Sequence, residues 1–344
     1  MKRVVNFIVA GLLSTLLAGC GSSASNGTQS LKVRLGVFPN VTHAPGLIAI
    51  GKHYLDAGLP GAKVDVSSFP SGTAAVEALL GDAVDITYIG SNPAVTAYVQ
   101  SNGGAVRVVS GATSGGAALV VRAGITTPQD LRGKTLATPS LGNTQDIALR
   151  AWLRSKGLRS DTTGGGDVSI LPQENAQTLD TFRAGSIDGA WVPEPWATRL
   201  VQEGKAHVLV NERDLWPGGR FITTQIVVST AFLKAHPDAV KAVVAANLQA
   251  IDFARQHPTE AQTIVNDQIK SFTGKELKPG VLGAAWKNLT FTPDPIATSL
   301  QRSANNAVAL KLLKPVNNLA GIYDLGILNA LLHSKGRPPV KGLS

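Results

Sequence analysis

Cysteine is almost absent from this chain of 344 residues, which contains one, at position 20. A lone cysteine cannot close an internal disulfide, so a disulfide-stapled scaffold is excluded. Chemistry that needs a cluster of cysteines is excluded for the same reason. The fold must therefore be stabilised by burial of apolar side chains, for which a chain of about 300 residues is ample.

Aromatic residues are also scarce, at 5% of the chain. The net charge is +9, but no run of five or more Lys or Arg residues occurs, and the aromatic residues are not interleaved with basic ones. A single-stranded nucleic acid site requires such a stacking platform along a basic groove. The sequence therefore predicts no nucleic-acid partner and a basic surface that attracts anions weakly.

Motifs of enzymes and metal sites are missing as well. No Gly-x-Ser-x-Gly nucleophile elbow occurs, and the six histidines are scattered singly. Gly133, Lys134 and Thr135 resemble the end of a P-loop, but the upstream glycine position holds Pro128. We therefore predict a protein that is not an enzyme, with no catalytic residue, no metal and no cofactor; an enzyme on the same fold is the less favoured alternative.

Two long stretches of the chain share one pattern of residues. Residues 65–94 and 167–197 each begin with Asp-Val-Ser, reach a proline, pass through a helix-like stretch to a glycine, and end with an apolar run and another proline. Pro172 follows Pro70 by 102 positions. This period exceeds the ~20–50 residues of solenoid repeats, so it predicts two similar lobes. Small ligands commonly bind in clefts between such lobes.

Apolar runs alternate with helix-like stretches, which is typical of βαβ units. We predict an α/β fold of two lobes, each a mixed sheet flanked by helices, with two hinge crossings near residues 115–122 and 220–227. One lobe comprises residues 31–116 and 226–344, and the other residues 117–225. The mainly helical segment after Thr230 has no counterpart in the repeat, and we expect it to pack on the first lobe.

The N-terminus has the pattern of a secretory signal. Lys2 and Arg3 precede an apolar stretch from Val4 to Ala18. The following Leu-Ala-Gly-Cys resembles the bacterial lipobox, which predicts a lipoprotein signal peptide over residues 1–20, lipidation of Cys20 and an extracytoplasmic protein anchored to the cell membrane. Residues 21–30 are uncharged and small, as in a flexible tether. An ordinary signal peptide or an N-terminal membrane helix is the alternative.

Polar loops follow the predicted strands in matched pairs. In open α/β sheets ligands bind beyond the carboxyl ends of the strands, where free N–H groups at helix starts favour an anion. The alternative is that these Ser, Thr and Asn residues only cap helices. The predicted contacts from these loops are Asn40, His43, Ser91, Asn92, Asn143, Thr144, Glu194 and Trp196.

Three of these residues have competing interpretations. His43 is a ligand contact or a buried core histidine. Trp196 is a wall against an alkyl chain or ring, or part of the core. Glu194 caps a helix, faces solvent, or meets the amine of a zwitterionic ligand.

Six motifs follow one another between residues 31 and 332: FPNVTHAP, ITYIGSNPA, GATSGGAALVVR, TTPQDLRGKTLATPSLGNTQD, GSIDGAWVPEPWA and DLWPGG. Together with the lipobox they resemble the aliphatic sulfonate, taurine and nitrate solute-binding proteins of ABC importers. The resemblance implies a type II periplasmic-binding fold that captures a small anion and delivers it to a membrane permease with its ATPase. It adds Ser114, Gly116 and Thr224 near the hinge to the expected contacts.

The resemblance favours an aliphatic sulfonate or taurine, with nitrate possible, bound by a monomer. Binding of a thiamine or pyrimidine precursor is the first alternative, because such binders share the fold. An adhesion or sensor lipoprotein of the same fold also remains open.

The lipobox generates a direct prediction. Replacing Cys20 by Ser removes the sulfur that would carry the lipid, so the protein should move from the membrane fraction to the soluble fraction, as checked by fractionation and immunoblotting. Persistence of the variant in the membrane fraction would mean that the apolar segment itself spans the membrane.

Overall fold

The computed structural model describes residues 30–316 and 318–344. The predicted signal peptide, its Cys20, and the tether up to residue 29 lie outside the described residues. Within the described part of the chain, no helix is long and apolar enough to span a membrane.

In the described part of the chain, eleven strands form two separate sheets. The larger sheet contains β1 (Lys32–Val37), β2 (Lys63–Ser68), β3 (Ile86–Ile89), β4 (Val106–Gly115), β10 (Ile222–Ser229) and β11 (Leu289–Phe291). Its strand order is β11-β4-β10-β3-β1-β2. The smaller sheet contains β5 (Ala117–Val121), β6 (Thr135–Thr138), β7 (Ser169–Pro172), β8 (Gly189–Pro193) and β9 (His207–Asn211). Its order is β7-β6-β8-β5-β9.

The two sheets repeat one topology. In the larger sheet β2, β1 and β3 are parallel and the next strand, β10, is antiparallel. In the smaller sheet β7, β6 and β8 are parallel and the next strand, β5, is antiparallel. Strands β3 and β8 are buried along their whole length, because helices cover both faces of a parallel sheet. The predicted α/β fold with two sheets flanked by helices is confirmed.

The chain passes between the sheets twice, as predicted. The first passage lies between β4 and β5, and the second between β9 and β10. The first strand after each passage, β5 or β10, is the one that pairs antiparallel with one of the three parallel strands of the sheet that the chain enters. Gly115 and Gly116 make the first passage with φ of +81° and +75°, where a side chain would be strained and would meet Arg213 or Leu289. The predicted boundary between residues 225 and 226 falls inside β10.

Thirteen α-helices within residues 30–316 and 318–344 surround the sheets. Those before β10 are α1 (Ala44–Gly51), α2 (Tyr54–Gly58), α3 (Gly72–Leu80), α4 (Ser91–Gln100), α5 (Thr144–Ser155), α6 (Asn175–Arg183) and α7 (Trp196–Gly204). Those after it are α8 (Thr230–Ala235), α9 (Pro237–Gln256), α10 (Pro258–Thr273), α11 (Pro279–Lys287), α12 (Ala297–Ala309) and α13 (Gly326–Ser334). Five short 3₁₀ turns complete the described chain.

The later helices pack against the larger sheet, as expected. Val240 and Ile251 of α9 are buried in one core of that sheet, and Leu300 of α12 in the core on its other face. The expectation was incomplete in one respect. Helix α11 also contacts α7, and α12 also contacts α5, both of which flank the smaller sheet. The C-terminal helices therefore bridge the two lobes.

Candidate functional site

The loops that follow β1, β2, β3, β6, β7 and β8 converge on one small cavity between the two sheets, here called the central cavity. Its volume is about 20 Å³, which is room for about one water molecule. The residues around it are Phe38, Asn40, Thr42, His43, Pro70, Ser71, Gly90, Pro139, Asn143, Thr144, Gln145, Asn175, Pro193 and Thr223.

The convergence follows from the topology. The carboxyl ends of parallel strands meet at one edge of a sheet, and the helix after each strand begins there. Helices α3, α4, α5 and α6 begin at residues that line the central cavity or directly follow a lining residue. The N-terminus of a helix carries a partial positive charge and free N–H groups. The central cavity is thus surrounded by four helix N-termini.

Among the residues that the structure describes, no lysine, arginine, aspartate or glutamate lines the central cavity. Its polar groups are hydroxyls, side-chain amides, one imidazole and the peptide groups of the loops. Such a lining offers hydrogen-bond donors and helix dipoles to an anion, and no carboxylate of the lining repels it. It offers no carboxylate to a cation. The chemistry of the site is therefore that of an anion-binding site without a basic side chain.

Three buried polar atoms of the lining have no hydrogen-bond partner in the described part of the chain. They are His43 Nε2, Thr144 Oγ1 and Asn175 Oδ1. A buried polar atom left unpaired costs about 1–3 kcal/mol. A bound anion would accept from the His43 nitrogen and the Thr144 hydroxyl, and an ordered water would also donate to Asn175 Oδ1.

The His43 side chain is 3% exposed and stacks on Phe38, with 4.3 Å between the ring centroids. Burial lowers the pKa of His43 to about 3, so the ring is neutral at physiological pH. Its Nδ1 lies 3.3 Å from Thr42 Oγ1. When that hydroxyl donates to Nδ1, Nε2 carries the proton and is a neutral donor. The backbone of Tyr88 also interacts with the ring and opposes the fall in its pKa.

The loop between β6 and α5 is held by a buried ion pair. Asp146 Oδ2 accepts from Arg150 Nε at 2.9 Å and from the Gly142 N–H at 2.9 Å, and Asp146 Oδ1 accepts from Thr138 Oγ1 at 2.9 Å. Asn143 Oδ1 accepts from the Thr144 N–H at 2.8 Å. Neighbouring groups therefore fix the start of α5, and Thr144 Oγ1 keeps its hydrogen-bonding capacity free.

Four of the predicted contacts lie on the central cavity: Asn40, His43, Asn143 and Thr144. Four others are buried but do not line it, namely Ser91, Asn92, Ser114 and Thr224. Of these, Ser91 Oγ, Asn92 Oδ1 and Thr224 Oγ1 have no partner among the described residues. Gly116 and Glu194 line a different cavity.

Trp196 joins the two sides of the cleft without lining the central cavity. Its Nε1 donates to Asn40 Oδ1 at 2.8 Å. Thr73 Oγ1, in the first turn of α3, donates to Ser140 Oγ at 3.1 Å, a second bond between the two sides of the cleft. These bonds and the small volume mean that entry of a ligand larger than a water molecule requires the loops to separate.

Glu194 acts as a cap, the first of its three interpretations. One carboxylate oxygen accepts from the Thr198 N–H at 3.1 Å, and the other from Thr198 Oγ1 at 3.0 Å and from Asn288 Nδ2 at 2.7 Å. The side chain is buried, and burial raises its pKa while these hydrogen bonds oppose the shift. It is directed away from the central cavity, so an amine bound there does not meet this carboxylate.

One pair of loops was missed by the sequence prediction. Pro70 and Ser71 follow β2, and Asn175 follows β7, and all three line the central cavity. The repeat contained the signal, because the two strand ends are matched by Pro70 and Pro172. Gln145 was also missed, since it lies inside α5, one residue beyond the predicted loop.

The described residues contain no cluster of three or more His, Cys, Asp or Glu side chains that could hold a metal ion.

The architecture has counterparts among solved structures. The alkanesulfonate-binding protein SsuA from Xanthomonas axonopodis pv. citri, bound to MOPS, matches with a TM-score of 0.71 and 21% identity, over 86% of this chain and 98% of that one. The chain therefore has the fold of a periplasmic binding protein. A family model matches residues 26–266, and the chain belongs to the NMT1-like family.

Two curated relatives have a higher sequence identity to this chain. The taurine-binding periplasmic protein of Escherichia coli K12 is 32% identical over 190 residues, which are 55% of this chain and 57% of that protein. The putative aliphatic sulfonates-binding protein of Bacillus subtilis 168 is 26% identical over 348 residues, covering 98% of this chain and 99% of that protein. The match to the taurine-binding protein thus spans little more than half of its length.

The neutral state of His43 generates a prediction about pH. The folded protein keeps His43 unprotonated down to a pKa of about 3, whereas the unfolded chain protonates it near its ordinary value of 6.5. The unfolded state therefore binds more protons below pH 6.5, and stability falls as the pH falls. Between pH 7 and pH 5, wild type should lose about 2 kcal/mol more free energy of unfolding than His43→Gln.

Urea unfolding of both proteins at the two pH values measures this difference, and the other histidines and the carboxyl groups cancel in the comparison. Equal losses in wild type and His43→Gln would contradict a buried neutral imidazole.

Proposed function

We propose that this chain is the extracytoplasmic solute-binding protein of an ABC importer and that it captures a small oxyanion in the central cavity. An aliphatic sulfonate is the favoured ligand, taurine is next, and nitrate is possible. The bound anion would be delivered to a membrane permease with its ATPase. The NMT1-like family and the names of the two curated relatives support this proposal.

The observation that carries the proposal is the central cavity itself, in which four helix N-termini and unpaired polar atoms surround a space without carboxylates. One charge-assisted hydrogen bond contributes about 1.5–3 kcal/mol net. Micromolar affinity requires about −8 kcal/mol. Four or five such bonds therefore suffice, even after the cost of bringing the loops together, and no arginine is needed.

The same lining ranks the ligands. The ammonium group of taurine would meet no carboxylate in the central cavity. Glu194, which could pair with it, lines a different cavity. A sulfonate with an apolar tail places no cation in the central cavity. This difference favours an aliphatic sulfonate over taurine.

The proposal has further parts. Lipidated Cys20 would hold a monomer at the cell membrane. Because the whole of β10 belongs to the larger sheet, residues 31–116 with 222–344 would move as one lobe against residues 117–221. Asn40, His43, Asn143 and Thr144 would contact the anion directly. The movement of the lobes would bring further predicted contacts to the ligand, namely Ser91, Asn92, Ser114, Gly116 and Thr224. Trp196 would lie over the ligand's tail.

A thermal-shift panel with calorimetry tests the ligand class. Ethanesulfonate, butanesulfonate, taurine, nitrate, sulfate and a hydroxymethylpyrimidine are added to the purified protein one at a time. A ligand at about 100 times its dissociation constant adds about 2.7 kcal/mol of stability. We expect the largest shift with an alkanesulfonate. Stabilisation by the pyrimidine alone would support a thiamine-precursor binder instead. Stabilisation by sulfate but by no sulfonate would mean that the ligand is an inorganic anion.

Two side-chain changes test the site. Thr144→Val removes an unpaired hydroxyl at nearly constant volume, and Ser91→Ala removes one at the start of α4. Each should weaken binding of the best anion by about tenfold or more if its hydroxyl donates to that anion, while the urea midpoint stays close to that of wild type.

Thr263→Val is the matched control, because Thr263 is exposed on α10. Wild-type affinity in both Thr144→Val and Ser91→Ala, measured by isothermal titration calorimetry, would exclude these hydroxyls from the site.

A further inference from the structure

A second cavity lies between α7 and α11, with a volume of about 210 Å³. We call it the α7–α11 cavity; its polar lining consists of Glu194, Thr198, Gln202, Asn211 and Asn288. It shares no lining residue with the central cavity. It has room for a molecule of several heavy atoms, about ten times the volume of the central cavity.

Glu194 is the one ionisable side chain of this lining. It is 2% exposed, and its three hydrogen-bond donors are neutral. Within the described part of the chain, no lysine, arginine or histidine lies within ion-pair distance of its carboxylate, although fourteen other such pairs occur there. Buried charges in proteins are as a rule paired with an opposite charge, and among the described residues none is supplied to Glu194.

The rest of the lining is apolar and small. The side chains of Ala117, Ala118, Ala197, Val201 and Ala284 form the walls. Such walls fit the short alkyl chain of a ligand whose polar end contacts Glu194. The amides of Gln202 and Asn211 provide carbonyl oxygens that accept further ammonium hydrogen bonds.

From this cavity and its buried carboxylate without a cationic partner we infer that the α7–α11 cavity binds a small primary alkylammonium ion. The ammonium group contacts Glu194, and the alkyl chain lies against the alanine walls. The site is separate from the anion site, and the inference does not depend on the proposed anion function.

The position of the cavity couples it to the arrangement of the lobes. Ala197 and Leu200 of α7 are buried in a core of the smaller sheet, and Leu282 and Ala285 of α11 in a core of the larger one. Asn288, just beyond α11, donates to Glu194, and Gln202 Nε2 donates to the Gly280 carbonyl at 3.2 Å. A bound ammonium ion therefore touches both lobes and stabilises their contact.

Isothermal titration calorimetry with butylammonium chloride tests the inference, and butan-1-ol is the uncharged probe of the same shape. Wild type should bind butylammonium at least about tenfold more tightly than butan-1-ol, because the alcohol lacks the charge that meets the carboxylate. Failure of wild type to bind butylammonium, or equal affinity for the two probes, would overturn the assignment.

Two variants locate the binding. Glu194→Gln removes the charge and keeps an amide of similar shape, and Ala284→Phe fills the cavity from a half-buried position on α11. Each should weaken butylammonium binding by about tenfold or more. Glu77→Gln and Ala235→Phe change exposed residues on α3 and α8 and should bind as wild type does.

If Glu194→Gln fails to fold, Ala284→Phe decides the question. Wild-type affinity in Ala284→Phe would place the butylammonium elsewhere and overturn the inference.

Discussion

The parallel pairing of three strands in each sheet is the constraint on which the rest of the structure depends. Because β2, β1 and β3 run in one direction, as do β7, β6 and β8, six loops emerge at two facing edges. The helices after these strands must begin there, so their positive ends meet. The polarity of the central cavity is thus built into the backbone, and the side chains refine it.

A neutral lining stabilises an anion through fixed dipoles, which need no reorganisation when the ligand arrives. The design has a cost, since His43 Nε2, Thr144 Oγ1 and Asn175 Oδ1 are buried without partners. The Asp146–Arg150 pair beneath the β6–α5 loop keeps the start of α5, and with it the Thr144 hydroxyl, in place. The surrounding structure therefore stabilises a site that by itself is destabilising until a ligand binds.

Much of the fold could be predicted from the sequence, because the repeat of about 102 residues indicates two similar lobes and its apolar runs alternate with helix-like stretches. Asn40, His43, Asn143 and Thr144 line the central cavity, and the sequence points to them because they follow strand ends. Glu194 could not be resolved among its three interpretations, since its direction depends on Asn288, which is 94 residues away. The bridging contacts of α11 and α12 were missed because these helices lie outside the repeat and carry no local signal of what they pack against.

The most direct test of the anion site is a crystal structure of the protein grown with ethanesulfonate. The account predicts the sulfonate group in the central cavity, with oxygens within hydrogen-bond distance of Thr144 Oγ1 and His43 Nε2 and of peptide N–H groups at the starts of α4 or α5. A sulfonate bound elsewhere on the protein, with the central cavity unchanged, would contradict it.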